Sequence, residues 1–486
     1  MISLDPPFHG RAHFAPEAAY RLAPLRFGRL DEARYVVTND VGEHVVLSRE
    51  DLVAFVRRQL PTTSPTYRAL KARHLVFDTD SECALDLLAL KYRTRAERIA
   101  SFTGLHMFVV TLRCNSSCDY CQVSRRTEDS TAFDMTPEHA DLAVDFAFRT
   151  PASHVKIELQ GGEPLLRFDL VRQIIERGAE VGRRAGKNVA FVIATNLSLL
   201  TDDVLAFCKR YDVCLSTSLD GPADLHDRHR VARRGSSHAQ TVEGLARARR
   251  ALGPDFVGAL MTTSRASLGR VEEIVDEYIR HGLRSIFLRS MSPYGFAARH
   301  GLTDQYDVDD WLAFYRRGLT YVIEVNRHGY PLREEYTAIL LRKLWSPAGA
   351  SFVDLQSPAG IGIAGIVYDH DGAVYASDEG RMLAAMGDRS FRLGHLGSDT
   401  YESIMTSDAL LGPLEDTLLE SAPMCSDCPF LPYCGADPVR HMATLGDPVG
   451  HKAFSALCHK QMGVLRHLIT LVEDDHEARR VLLGWV

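Results

Sequence analysis

Seven of the chain's ten cysteines stand in two spaced groups. The first, Cys114-Asn-Ser-Ser-Cys118-Asp-Tyr-Cys121, follows the apolar, β-branched run His106-Met-Phe-Val-Val-Thr-Leu-Arg113, which reads as a buried strand. A strand that delivers three thiols in so short a loop lets all three converge on one point. A cubane iron–sulfur cluster has four irons, so three thiolates leave one iron open to a non-protein ligand. A zinc knuckle lacking its fourth ligand, or three unrelated thiols, are the alternatives for such a loop.

The second group is Cys425-Ser-Asp-Cys428, then Cys434, then Cys458. Four thiolates close a site around either a zinc ion or a cubane, and spacing alone does not separate the two. Gln160-Gly161-Gly162-Glu163-Pro164 ends another strand-like run. Its two glycines let backbone come close to a ligand, and Glu163 adds a negative charge, a combination that suits an α-amino group. Thr195-Asn196 and Ser216-Thr-Ser218-Leu-Asp220-Gly-Pro222 end two further strands and set hydroxyl and amide groups where a ribose needs partners. As isolated residues they read more commonly as strand-end caps.

The elements that must position these residues alternate between strand and helix. Strand-like runs cover His106 to Arg113, His154 to Gln160, Val189 to Thr195, Cys214 to Asp220, Val257 to Ser264 and Ser285 to Ser292. Amphipathic helices lie between them, such as Thr136 to Arg149, with Thr136 as cap and Pro137 at the first helical position, and Asp202 to Tyr211. Six such units predict an α/β fold with a partial (β/α)6 TIM-like barrel, too few to close an eight-fold barrel. The motifs then fall at the carboxyl ends of strands, where barrel active sites are built.

Around this barrel the sequence predicts a small N-terminal α+β domain over 1–100, the barrel over 101–305, a helical linker over 306–350 and a cysteine-bearing domain over 351–486. In the first, residues 1–21 form an extended arm. Tyr35–Thr38 and Glu43–Leu47 read as a hairpin, and Ser48 caps a helix stopped by Pro61. Two more helical stretches follow, the second around Ser81 to Leu90. In the last, Asp371-Gly372 marks a hairpin turn.

Composition narrows the function. The chain has 486 residues, 45% apolar and 24% charged, with a net charge of -7. Neither a general nucleic-acid binder nor an anionic-membrane binder has that balance. No apolar run reaches the length of a membrane span and no signal peptide is legible, so a cytoplasmic protein is expected. In a reducing compartment, cysteine-rich motifs point to metal or redox chemistry rather than disulfides. Cys83, Cys208 and Cys214 are left as buried structural thiols.

With these motifs in this order, the chain resembles the radical SAM enzymes of the SPASM group. Leu105–Arg113, Cys121-Gln-Val-Ser-Arg125 and Ser377-Asp-Glu-Gly-Arg-Met382 further resemble the His-Xaa-Ser system radical SAM maturase. The resemblance implies that Cys114, Cys118 and Cys121 hold a [4Fe-4S] cluster whose open iron binds S-adenosylmethionine (SAM). Gly161, Gly162, Glu163 and Pro164 then hold the methionine end, Tyr120 packs near the adenine, and Thr195, Asn196, Ser216 and Ser218 face the ribose. Arg230 approaches the SAM carboxylate, and Asp378 aligns with a general base of sulfatase-maturing relatives. Where that group has cysteines for a first auxiliary cluster, this chain has Ser377 and Pro438, and Ser357–Gly360 carries none. One auxiliary [4Fe-4S] cluster, on Cys425, Cys428, Cys434 and Cys458, is therefore expected. The implied partners are a ribosomally made peptide captured by the N-terminal hairpin, a second radical SAM maturase, and an electron donor such as flavodoxin or ferredoxin. A small-molecule radical SAM enzyme and a zinc-stabilised, non-catalytic peptide-binding scaffold are the competing readings.

Overall fold

The computed structural model describes residues 19–79, 83–128, 131–346 and 353–486. Most of the N-terminal arm, and the start of the helical stretch at Ser81, lie outside the described residues. Five parallel strands form the barrel sheet in sequence order: Leu105–Thr111, His154–Gly161, Asn188–Ala194, Cys214–Ser218 and Val257–Leu260. The first strand is covered on both faces and is buried from His106 to Thr111, whereas the other four alternate buried with more exposed residues. The helices between them obey the expected start signals. Thr136 accepts from His139 N at 3.1 Å with Pro137 following, and Thr201 accepts from Val204 N at 3.2 Å.

The helix Phe168–Ala185 lays Leu170, Val171, Ile174 and Ile175 into the core. It approaches the sheet closely because Gly182 has no side chain there: an added Cβ would stand 2.2 Å from Val189 Cγ2.

The sixth strand departs from expectation. Only Ser285–Ile286 is extended, and it pairs with Arg333–Glu334 rather than with the fifth strand. A tight turn follows at once, with Arg289 N donating to Phe287 O at 2.8 Å. The buried Glu334 accepts from Leu288 N at 3.0 Å, occupying the amide that a ladder would have used. Contact with the fifth strand survives as one bond, Thr263 N to Arg289 O at 2.9 Å.

The sheet grows instead from its other edge. Gly365–Tyr368 pairs in parallel with the first barrel strand, aligning Ile366 with His106. Ala373–Tyr375 and Arg392–His395 then add antiparallel, giving eight strands. The turn at Asp371-Gly372 is as read, with Gly372 at φ +89°. The C-terminal region thus shares the barrel's sheet, and Asp378 opens a helix, Asp378–Ala385, capped by Ser377.

The N-terminal hairpin, Arg34–Thr38 with His44–Ser48, is present, and Ser48 accepts from Asp51 N at 3.0 Å. A third strand, Arg26–Arg29, joins it. The sequence Arg-Phe-Gly-Arg carries one apolar side chain, too little periodicity to announce a strand. Cys83 is exposed, against expectation, because it sits at the N-cap of Ala84–Ala96 rather than on its apolar face. Among the described residues no helix is long and apolar enough to cross a membrane.

His106 ties the added strand to the barrel: its Nδ1 bonds the Tyr368 hydroxyl at 2.8 Å and its Nε2 bonds Thr103 O at 3.1 Å. Burial lowers this imidazole from 6.5 to about 4. The unfolded chain therefore binds a proton that the folded chain refuses between those values. The stability contributed by a neutral His106 is complete above pH 6.5 and is lost as pH falls towards 4, on the order of 3 kcal/mol in all. His106→Gln, which offers a donor and an acceptor but does not titrate, is expected to show a shallower fall in melting temperature between pH 6.5 and 4 than the wild type.

Candidate functional site

Three glycine-dependent contacts fix the first cysteine loop. Gly162 N donates to Thr111 O and Glu163 N to Arg113 O, each at 2.7 Å. A Cβ on Gly161 would lie 2.0 Å from Thr111 O, and one on Gly162 would lie 2.0 Å from Arg113 O. Only glycine permits this approach, and Gly161 also takes φ +138°. The third glycine is Gly295, at φ +60°, where a Cβ would meet Gln122 O at 2.3 Å while Phe296 N donates to Cys121 O at 2.8 Å.

The loop is also paired as a short strand. Ser116–Cys118 runs antiparallel to Arg230–Ala232, setting Arg230 opposite Cys118. Asn115 Oδ1 accepts from Asn196 Nδ2 at 2.8 Å, and Asn115 Nδ2 donates to Ser198 Oγ at 2.7 Å. Cys114, Cys118 and Cys121 therefore share one wall with Gly161, Gly162, Thr195, Asn196, Ser216, Ser218, Arg230 and Tyr120, lining a cavity of about 990 Å³.

Glu163 is fully buried and organises this wall. Its Oε1 accepts from Thr195 Oγ1 at 2.7 Å and from Leu165 N at 3.1 Å, and its Oε2 accepts from Asn196 N at 2.8 Å. Burial still raises its carboxyl above the ordinary range. Pro164, also buried, starts the 3-10 turn that follows.

Asp220, which the sequence places at a strand end without giving it a role, joins the cysteine loop to the arginine. It is 2% exposed, accepts from the Tyr120 hydroxyl, takes Arg230 Nε at 2.8 Å on Oδ2, and takes Thr262 N at 3.1 Å on Oδ1. Despite burial, the Arg230 guanidinium and the His226 ring beside it hold its carboxyl below the usual range. The guanidinium also stands 5.2 Å from the Tyr120 ring centroid. The signal was available: an aspartate at a strand end before Gly-Pro, facing an arginine ten residues on.

Asp378 lines the same cavity, accepting from Gln160 Nε2 at 2.9 Å and pairing with the buried Arg381 at 3.4 Å. The second cysteine group is elsewhere. Cys458 begins the helix Ala456–Asp474 under its Ser455 cap, and Cys428 N bonds Cys425 O at 3.0 Å. Cys434 shares its carbonyl with the buried Lys343 ammonium at 2.7 Å. The N-terminal sheet packs on this loop: Tyr433 donates to Gly42 O at 2.5 Å, and its hydroxyl lies 2.9 Å from His44 Nδ1.

The thiols of both groups have the donor chemistry of a bound metal centre. Burial pushes Cys114 up to about 12 and Cys118 to about 11, and it pushes Cys425 to about 11 and Cys434 to about 12. Bare thiolates are thus disfavoured without bound metal charge.

Residues 108–278 match the family model of the Radical SAM superfamily. Uncharacterized protein MJ0907 of Methanocaldococcus jannaschii is 28% identical over 185 residues, covering 38% of this chain and 61% of that protein. The chain thus matches about three fifths of that relative's length. The structure of anSMEcpe with bound AdoMet superposes with a TM-score of 0.62 at 14% identity, covering 79% of this chain and 99% of that one. Streptococcus suis SuiB bound to precursor peptide SuiA gives 0.54 at 12% identity, covering 90% and 99%. These two likenesses show the fold. Residues 108–278, which carry the three-cysteine loop and its glycine-zipped partner, thus form a domain of the radical SAM superfamily.

Proposed function

We propose that this enzyme cleaves SAM reductively and uses the 5'-deoxyadenosyl radical to modify a ribosomally made peptide, one with His-Xaa-Ser repeats. The observation that carries the reading is the single cavity. It is lined at once by the three thiols, the Gly161-Gly162 backbone, the Tyr120–Asp220–Arg230 triad and Asp378, and its volume is at the upper end for ligand pockets. That leaves room for substrate beside SAM. A cluster bound by Cys114, Cys118 and Cys121 supplies the electron for carbon–sulfur cleavage.

The chain's own residues bind and orient. Gly161 and Gly162 offer backbone to the methionine amino group, and Glu163 holds that loop to Thr195 and Asn196. Arg230, kept charged by Asp220, meets the SAM carboxylate, and Ser216 and Ser218 face the ribose. Asp378 takes a proton from substrate. Cys425, Cys428, Cys434 and Cys458 would hold one auxiliary cluster, which would supply a place for an electron to leave the substrate. A reduced flavodoxin or ferredoxin supplies electrons, and a second radical SAM maturase acts alongside.

The N-terminal sheet is the proposed peptide-capture element. Among the described residues its His44–Ser48 strand is an edge paired on one side only, and the helix Ala84–Ala96 exposes Leu85, Leu87, Leu90 and Tyr92. An extended peptide can add to such an edge. SuiB, which shares the fold, binds a precursor peptide.

Two measurements test this reading. After anaerobic reconstitution the chain is expected to hold about eight irons, in two cubanes. Replacing Cys114, Cys118 and Cys121 by Ala should remove about half of that iron and all 5'-deoxyadenosine formation. Near twelve irons would require a third cluster, and full cleavage in the triple variant would remove the basis of the assignment. For peptide capture, Val46→Pro on the open edge is expected to weaken binding of the peptide encoded beside this gene at least about tenfold. Peptide-independent SAM cleavage should be unchanged in that variant, and unaltered peptide affinity would make the N-terminal sheet a structural brace only.

A further inference from the structure

The cavity has a second polar wall that the SAM-binding residues do not use. Tyr294 and Trp311 line it and are 1% and 2% exposed. The Tyr294 hydroxyl and Trp311 Nε1 nevertheless have no hydrogen-bond partner, and neither does the buried Oδ1 of Asp354 on the same lining. Buried polar side-chain atoms without partners are uncommon, and three on one cavity wall point to something that completes them.

The surrounding charges restrict what that is. Glu379, Asp437, Arg440 and Lys460 line the same cavity. Burial, with Asp378 and Asp437 nearby, pushes the Glu379 carboxyl up to about 7, and burial beside Asp354 pushes Asp437 up to about 6. The Lys460 ammonium stands 5.6 Å from the Trp311 ring centroid. A cation brought here meets Lys460 and Arg440, and an anion meets Asp354 and Asp437. A neutral group meets neither penalty. It must still donate to Asp354 and accept from the Trp311 N–H, which is donor only.

These groups come from chain segments that also hold the sites where the resemblance leads one to expect thiolates. Asp378 and Glu379 follow Ser377, Asp437 precedes Pro438, and Asp354 stands shortly before Ser357. Ser377 is spent as a helix cap, and Pro438 opens the helix Pro438–Leu445.

We propose that this wall is a subsite for an uncharged substrate side chain that carries both an N–H donor and a lone pair, an imidazole or a carboxamide. The proposal rests on the peptide-modifying reading and deepens it. Trp311, Tyr294 and Asp354 supply the direct hydrogen bonds.

The test uses the full-length, reconstituted protein labelled with 15N at its tryptophan indoles, with Trp311 assigned through Trp311→Phe. Three capped amino acids serve as probes at pH 7.5: the N-acetyl methylamides of histidine, glutamine and leucine. The Trp311 indole resonance is expected to shift saturably with the histidine or the glutamine probe, which separates imidazole from carboxamide, and not with leucine. Trp345 and Trp485 should stay in place. Tyr294→Phe, its fold checked by those two unmoved resonances, should weaken the responding probe at least about fivefold, the scale of one lost hydrogen bond. No Trp311 response to either polar probe, an equal response to leucine, or full affinity in Tyr294→Phe would overturn the subsite. Failure of the peptide-modifying reading would appear differently, as an intact Trp311 response in a protein that modifies no peptide.

Discussion

The contact on which the rest of the site depends is backbone to backbone. The amides of Gly162 and Glu163 lock onto the carbonyls of Thr111 and Arg113, immediately before Cys114, at a separation that leaves no space for a Cβ. This sets two loops from different strands in one register. The thiols of one loop and the exposed backbone of the other thereby face a common cavity. Glu163 extends the lock to a third strand end through Thr195 and Asn196, and Asp220 ties in a fourth through Tyr120 and Arg230. Four strand ends are thus connected by buried, hydrogen-bonded carboxylates. Such groups are costly when left unpaired, so each rigidifies the arrangement it satisfies.

A second consequence concerns the far cysteine group. The loop carrying Cys425, Cys428 and Cys434 is held from the barrel side by Lys343 and from the other side by the N-terminal sheet through Tyr433 and His44. The Gly28 and Gly42 positions press against Pro429 and Tyr433 closely enough that a Cβ would stand 2.8 and 2.9 Å away. The proposed peptide-capture element and the proposed auxiliary cluster are therefore neighbours in direct contact. Peptide on the first would bear on the loop that ligates the second.

Much of this was legible before any coordinates. Periodicity located the first five barrel strands because the first is an unbroken apolar, β-branched run and the other four alternate buried with more exposed residues. Cysteine and glycine spacing located the first loop and its partner because those residue types have few other uses in so short a span. The sixth strand is shorter than its apolar pattern: the pattern continues past Ile286, but Glu334 captures the Leu288 amide and the chain turns. The eight-stranded sheet was invisible because its extra edge is a pairing over some 260 residues of sequence, between His106 and Ile366. Ser377-Asp-Glu carries the cap signature of the helix that Asp378 opens. Asp220 was noted as a strand-end residue and not given its role, since only the fold shows that Tyr120 and Arg230 meet on it.

The central claim is that the glycine lock holds SAM at an open iron of the three-cysteine cluster. Electron paramagnetic resonance of the dithionite-reduced protein, recorded with and without SAM, tests it most directly. The wild type is predicted to change its g-values on adding SAM, because a ligand binds the cluster itself. Gly162→Ala, whose Cβ would collide with Arg113 O and force the loops apart, is predicted to keep its iron and lose that change. A wild-type signal indifferent to SAM, or a full SAM-induced change in Gly162→Ala, would contradict the account.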